Sequence, residues 1–277
     1  MTRPLPLLAA LCIAAAAAAM SPAIAAPTVY FGEDQAAGGA AGLNFSNNAR
    51  DQFVAHVSNL PGAQLGAEDF ETLPAGTEFF NNPTQKLDFA GSGITASLTG
   101  GLVRNGPYNA RFAASGQQYL DTSFNQRIIF DKPVVAFGLY VVDANEVNNN
   151  PALVTLNGQT LTQQQIEARP FDSVDGIFRI VALRQSGQFE LLFDGGTFPA
   201  PDSSAMFIGL IDSAHPFVDI RLINGTSDLD AEFQDGFGYD RMYAAAAVPE
   251  PGTWAMLGLG LAGVLAWRRR VAGAASA

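Results

Sequence analysis

Cysteine is nearly missing: 277 residues contain one, Cys12. A single thiol excludes disulfides within the chain, Cys-x-x-Cys redox chemistry and cysteine-rich zinc sites. Histidine is almost as scarce, with only His56 and His215. No His-Glu-x-x-His helix exists, nor a Gly-x-Ser-x-Gly elbow or a P-loop. The two isolated histidines read as surface or packing residues. Basic residues are few, 15 Lys/Arg against 26 Asp/Glu, for a formal charge of −11. Such a chain repels phosphate backbones, so nucleic acid is excluded as a partner. Long apolar runs are confined to the two ends.

At the N-terminus, Arg3 precedes an alanine-rich run from Leu5 to Met20, then Ser21-Pro22-Ala23-Ile24-Ala25. A charge, an apolar stretch and an Ala-x-Ala site make a secretory signal peptide spanning 1–25. Cleavage after Ala25 is expected, because cleavage one residue later would leave Pro27 at the disfavoured first position. Cys12 leaves with the signal. The mature protein then enters an oxidising compartment with no thiol, so packing, alone or together with a bound metal, must supply its stability.

At the C-terminus, Pro249-Glu250-Pro251 precedes an uncharged run from Trp254 to Trp267, and Arg268-Arg269-Arg270 follows. Tryptophans at both ends suit membrane interfaces, and the arginines favour a cytoplasmic C-terminus. At ~1.5 Å per residue, 14 helical residues span only about 21 Å of a roughly 30 Å hydrocarbon core. The segment can insert but makes a poor permanent anchor. Gly258-Leu259-Gly260-Leu261-Ala262-Gly263 fits G-x-G-x-x-G, but no strand precedes it and no acid follows. Small residues at Gly258, Ala262 and Ala266 suit helix packing in a membrane instead.

The hinge, helix and arginine triplet in this order resemble the PEP-CTERM tail of Gram-negative bacteria. The resemblance implies recognition by an exosortase, a membrane transpeptidase of species that make exopolysaccharide. It implies transient membrane insertion, processing near Pro249, Glu250 and Pro251, and delivery to the cell surface or matrix. The alternative is an ordinary membrane anchor on a periplasmic protein.

Between the two ends, residues 26–247 carry 11 Lys/Arg against 25 Asp/Glu, a net of −14. Their size suits one all-β domain. Residues 26–67 read as a loop and one short helix, with Asn47 or Asn48 as cap and Phe53, Val54, Val57 and Leu60 on one face. Residues 68–243 then read as short strands, including 69–72, 127–131, 134–142, 205–211, 216–223 and 237–243. Asn157-Gly158 between Val154-Thr155-Leu156 and Gln159-Thr160-Leu161 is a tight hairpin signal. Val134–Val142 is the most apolar strand and should lie centrally, with Pro133 at its entry. The expected architecture is a jelly-roll-like β-sandwich, followed by a linker at 244–252 and a single transmembrane helix with its arginines at 253–270.

Several strings strengthen this expectation. Tyr30-Phe31-Gly32-Glu33-Asp34, Glu68-Asp69-Phe70-Glu71, Val135-Ala136-Phe137-Gly138, Phe207-Ile208-Gly209 and Phe237-Gly238-Tyr239-Asp240 occur in that order. They resemble a secreted bacterial module that often carries a PEP-CTERM tail, which implies a lectin-like sandwich.

Candidate sites are acidic or amide-rich. A strand over 69–72 would put Asp69 and Glu71 on one face, and pairing of terminal strands would bring Asp240 to them. Calcium suits such a carboxylate set, and the arrangement resembles MAM-like jelly rolls that hold a structural cation there. Solvated carboxylates are the alternative. Asp228–Gly236 begins like an EF-hand loop, but Phe233 stands where that loop needs glycine; it reads better as an edge strand with outward acids. Asp143, Asn145 and Asn148 follow the central strand, and amides there can bond sugar hydroxyls beside Tyr140 or Tyr108; an ordinary turn is the competing reading. Asp69, Glu71 or Asp143 are the acid/base candidates if the protein is instead a polysaccharide-acting enzyme. The leading expectation is a non-enzymatic surface or matrix protein, structural or associated with extracellular polysaccharide.

Overall fold

The computed structural model describes residues 27–80, 82, 84–122, 125–144, 155–156, 159–160, 178–196, 200–224 and 236–246. The expected signal peptide, the Pro-Glu-Pro motif, the transmembrane segment, the arginine triplet, Asn145, Asn148 and the acidic run 228–235 lie outside these residues.

The chain is predominantly β, with one α-helix among the described residues. Strand β7 (Gln126–Val142) organises it. Its first part pairs with β4 (Ile94–Leu98) and β13 (Phe217–Asn224), as in Ser97↔Ile129 and Ile220↔Ile128. Its second part pairs with β12 (Ala205–Ile211) and β14 (Phe237–Ala246), as in Gly209↔Gly138 and Tyr239↔Val141. The ladders on both sides skip 131–133. Pro133, expected at a strand entry, therefore lies within one 17-residue strand, at the point where it passes from one layer to the other. Proline donates no ladder bond, so a place without a ladder is where it costs least.

On one side the sheet continues from β13 to β10 (Phe178–Arg184) and β11 (Phe189–Asp194), and from β4 to β3 (Lys86–Phe89). On the other, β1 (Thr28–Asp34) joins β12, and β2 (Leu65–Glu68) and β6 (Gln118–Thr122) join β14 at different heights. Strand β5 (Leu102–Asn105) follows β6. Thus the stretch expected to precede the sandwich contributes two of its strands. A separate hairpin, β8 (Thr155–Leu156) and β9 (Gln159–Thr160), pairs Leu156 with Gln159, the spacing expected of the Asn-Gly turn.

Period-two alternation sorts β7 between two cores. Phe137, Leu139 and Val141 join the larger cluster with Phe130, Phe178, Ile208, Phe217 and Tyr239, between the layers. Ala136, Tyr140 and Val142 face the other way, where helix α1 (Asn44–Ser58) packs with Phe207 and Tyr243. Ser46, Ala49, Phe53 and Val57 form its buried stripe, at helical spacing.

The helix begins earlier than the expected cap at Asn47 or Asn48. Its cap comes from the preceding strand: Asp34 accepts from the N–H groups of Asn44 (3.1 Å), Phe45 (2.9 Å) and Ser46 (2.9 Å). That satisfies three of the four orphan donors of the first turn and places a negative charge at the positive helix end.

Candidate functional site

Strand β7 delivers Asp143 at its far end, in the left-handed region (φ 62) and almost wholly buried. It is not a solvent-facing ligand group. Its Oδ1 accepts from the Ser203 N–H at 2.9 Å, and its Oδ2 faces Arg111 Nε at 3.4 Å. Arg111 Nη1 also reaches Asp121 Oδ1 at 2.5 Å, and Asp121 is paired in turn with Arg104. Two arginines and two aspartates so make a charge-balanced chain from the end of the central strand to the sheet edge. Burial works against the Arg111 charge, but the bond to Asp121 and the two neighbouring carboxylates hold its pKa above the ordinary value. Tyr119, pushed up to about 12 by burial and then by Asp121, is a neutral phenol beside it.

The backbone around this knot is unusual. Asn109 (φ 46), Ala110 (φ 64), Asp143 and Ser203 (φ 61) are all left-handed, four of the seven such non-glycine residues described. Tyr108 and Arg111 exchange two backbone hydrogen bonds of 3.0 Å across Asn109-Ala110, as a tight turn with two positive-φ positions requires. Asparagine tolerates that conformation, but alanine pays about 1–2 kcal/mol for it. Ser203 Oγ donates to the Ala110 carbonyl at 2.9 Å and locks the turn. The turn sends Arg111 inward and leaves Tyr108 44% exposed. The Arg104 guanidinium lies 3.7 Å from the Tyr108 ring centroid. Beside them a recess of about 420 Å³ opens along β5.

The expected strand over 69–72 is a turn, with Phe70 at φ 61, so the same-face argument for Asp69 and Glu71 does not hold. The reason is local. Glu68 closes β2 and its Oε1 accepts from the Phe70 N–H at 2.7 Å, while Asp69 Oδ1 accepts from Glu71 N–H at 3.2 Å. Acidic side chains binding the backbone two residues on make turns rather than ladders.

Pairing of β2 with β14 does bring this turn toward Asp240, and both Asp69 and Glu71 act electrostatically on it. Yet each acid has backbone partners. Glu71 Oε1 accepts from Gln117 N–H (2.7 Å) and Gln118 N–H (2.6 Å); Asp240 accepts from Ser115 N–H (2.8 Å) and Arg241 N–H (2.5 Å). Burial drives the Asp240 carboxyl well above its ordinary pKa despite these donors. Among the described residues no group of three or more His, Cys, Asp or Glu is placed to hold a metal ion.

His56 bonds the Tyr30 hydroxyl. His215 Nδ1 lies 3.5 Å from Asp212, beside Arg184. Tyr140 is buried and donates to Asn47 Oδ1 at 2.6 Å, so only Tyr108 of the two proposed stacking residues offers a surface. Sequence reasoning missed Arg104, Arg111 and Asp121. Their signal was scarcity: in a stretch of net −14, an arginine has several acids to meet. Arg104, Arg111, Arg127, Arg179 and Arg184 all do.

Residues 247–270 match the PEP-CTERM protein-sorting motif. The chain is therefore an exported protein sorted through an exosortase and anchored transiently in the membrane. No curated protein matches the chain. Among solved structures, the K2 cleaved adhesin domain of Lys-gingipain shares 13% identity, with 65% of this chain and 97% of that one covered, at a TM-score of 0.32. The Stig cyclase Fisc from Fischerella sp. TAU shares 16% identity over 68% of this chain and 87% of that one, at a TM-score of 0.24. Likeness at these scores carries no argument about fold or activity. Among the described residues no helix is long and apolar enough to cross a membrane.

Proposed function

We propose that this protein is a non-enzymatic component of the cell surface or exopolysaccharide matrix, presented there by its β-sandwich after exosortase processing. The sorting-motif match over 247–270 is the observation that carries the reading. It directs the chain outward, and the signal peptide read at 1–25 supplies the route through the inner membrane. In the periplasm-facing part, the acid/base candidates Asp69, Glu71 and Asp143 are engaged by backbone amides or by Arg111. That supports binding or structure over hydrolysis. Association with extracellular polysaccharide is the role we assign to it at that proposed destination.

The test is the intact mass of the mature protein recovered from envelope and matrix fractions. A mass lacking the signal and the residues beyond Pro249–Pro251, in the matrix fraction, is expected. A mass retaining Trp254–Ala277 in the envelope would mean a plain membrane anchor and would end the matrix assignment.

A further inference from the structure

We propose that the recess along β5 is a saccharide-binding site for neutral sugars, with Tyr108 as the stacking platform and Arg104 and Asn105 as the hydrogen-bonding groups. The inference rests on the surface role above and adds to it the class of ligand and the place where it sits.

Three observations meet there. The first is an aromatic ring held out on purpose: Tyr108 is 44% exposed at the end of a turn built from two left-handed residues and locked by Ser203. Strain that persists because its surroundings over-determine it clusters at ligand sites. The second is space. The recess of about 420 Å³ is bounded by Gly76, Gly106 and Pro107 besides the polar residues, and a Cβ at either glycine would meet nothing within 4 Å. Its volume falls in the range of small-ligand sites.

The third is charge. Arg104 commits its Nε to Asp121, leaving the rest of its five N–H donors on a guanidinium whose side chain is 30% exposed. Asp121 also holds Arg111, and Arg111 holds Asp143, so the two positive charges are offset by two negative ones. A site with donors, an amide and an aromatic face but no net charge, on a chain of net charge −11, suits hydroxyl-rich neutral sugars. A polyuronate would meet the general negative field with no compensating excess of cations. Arg104 stacks on one face of the Tyr108 ring, so the sugar's C–H face takes the opposite face and its hydroxyls meet the remaining Arg104 N–H donors at the ring edge and the Asn105 amide.

Affinity electrophoresis of the mature exported protein tests this, with gels containing dextran, mannan or galactomannan, and alginate as the acidic comparator. At least one neutral polysaccharide should retard wild type, with little dependence on salt. Tyr108→Ala should weaken retardation roughly tenfold, the scale of one lost aromatic contact, while Tyr108→Phe retains it. Tyr108→Phe should melt with wild type, and Tyr108→Ala, which also gives up the Arg104 stacking contact, should unfold as cooperatively at a slightly lower temperature. Retardation by alginate alone, abolished by salt, would overturn the neutral-sugar assignment. Retardation that survives Tyr108→Ala would show glycan association elsewhere on the protein and overturn this site. Retardation in no gel would overturn saccharide binding while leaving the sorting result, read by mass, untouched.

Discussion

Asp143 and Asp240 show how a carboxylate that looks available in sequence is spent inside a fold. Asp143 ends a strand whose next residues are polar, and by sequence it belongs to a ligand loop. Its burial and its contacts with Ser203 and Arg111 make it an internal strut. Asp143→Ala is expected to destabilise the protein by about 3 kcal/mol in urea unfolding, the cost of leaving a buried arginine short of a partner. A loss below ~0.5 kcal/mol would return Asp143 to the surface-ligand reading. Asp240 and Glu68 add a pH dependence. Burial, opposed by backbone N–H donors, raises both pKa values. The fold therefore prefers their protonated forms. That stability is complete below the unfolded value near 4 and is lost as pH rises through the raised folded value. Between about pH 5 and about pH 7 the melting temperature of Asp240→Asn should fall less than that of wild type. Equal pH slopes for the two proteins would contradict the burial argument.

Among the elements, the glycines within strands carry the clearest instruction. Gly138 of β7 pairs with Gly209 of β12, and Phe53 of α1 lies over the pair. A Cβ at Gly209 would come 2.5 Å from the Phe53 ring, and one at Gly138 would come 3.2 Å from it. In β1, Gly32 takes the Phe45 carbonyl in the same way. Three of the glycine-containing strings noticed in the sequence, those at Gly32, Gly138 and Gly209, are thus the floor on which the helix sits, while Gly238 lies against Tyr119 and Arg111 instead. Gly209→Val should cost about 1–3 kcal/mol through overpacking against Phe53, measured by thermal and urea unfolding; paired with Phe53→Ala, the two losses should be less than additive. Additive losses would mean that the helix does not rest on this pair. Helix and strand periodicity were legible: Phe53 and Val57 on one face, β12 at 205–211 as expected, and β7 central. Strands β5 and β6 were not anticipated: β6 buries Gln118, Asp121 and Thr122, which are satisfied by the Phe70–Leu73 turn, by Arg104 and Arg111, and by Gln126, while β5 keeps Arg104 half-buried and Asn105 exposed. Alternation alone does not announce that.

For the whole molecule, the sandwich and the tail are separate instructions. The tail sets destination; the sandwich sets what arrives there. Deleting Pro249–Ala277 is expected to leave the sandwich folded, with its melting temperature unchanged, and to abolish surface delivery. Immunoblotting of matrix and culture fractions reads the second outcome. Unchanged delivery would sink the sorting role of the match at 247–270.

The sequence alone determined export, the sorting tail and the all-β class. Each of these is written in contiguous residues: a charge before an apolar run, Pro-Glu-Pro before a short helix and Arg268–Arg270, and strand-length alternation between turns. Only the tertiary structure decided which carboxylates are structural, where Pro133 sits, and that Tyr108 rather than Tyr140 faces solvent. Those outcomes depend on residues far apart in the chain. Asp143 meets Arg111 across 32 positions and Ser203 across 60. Whether a side chain is buried and partnered is set by the strands that cross it, which a local pattern of residue types does not encode.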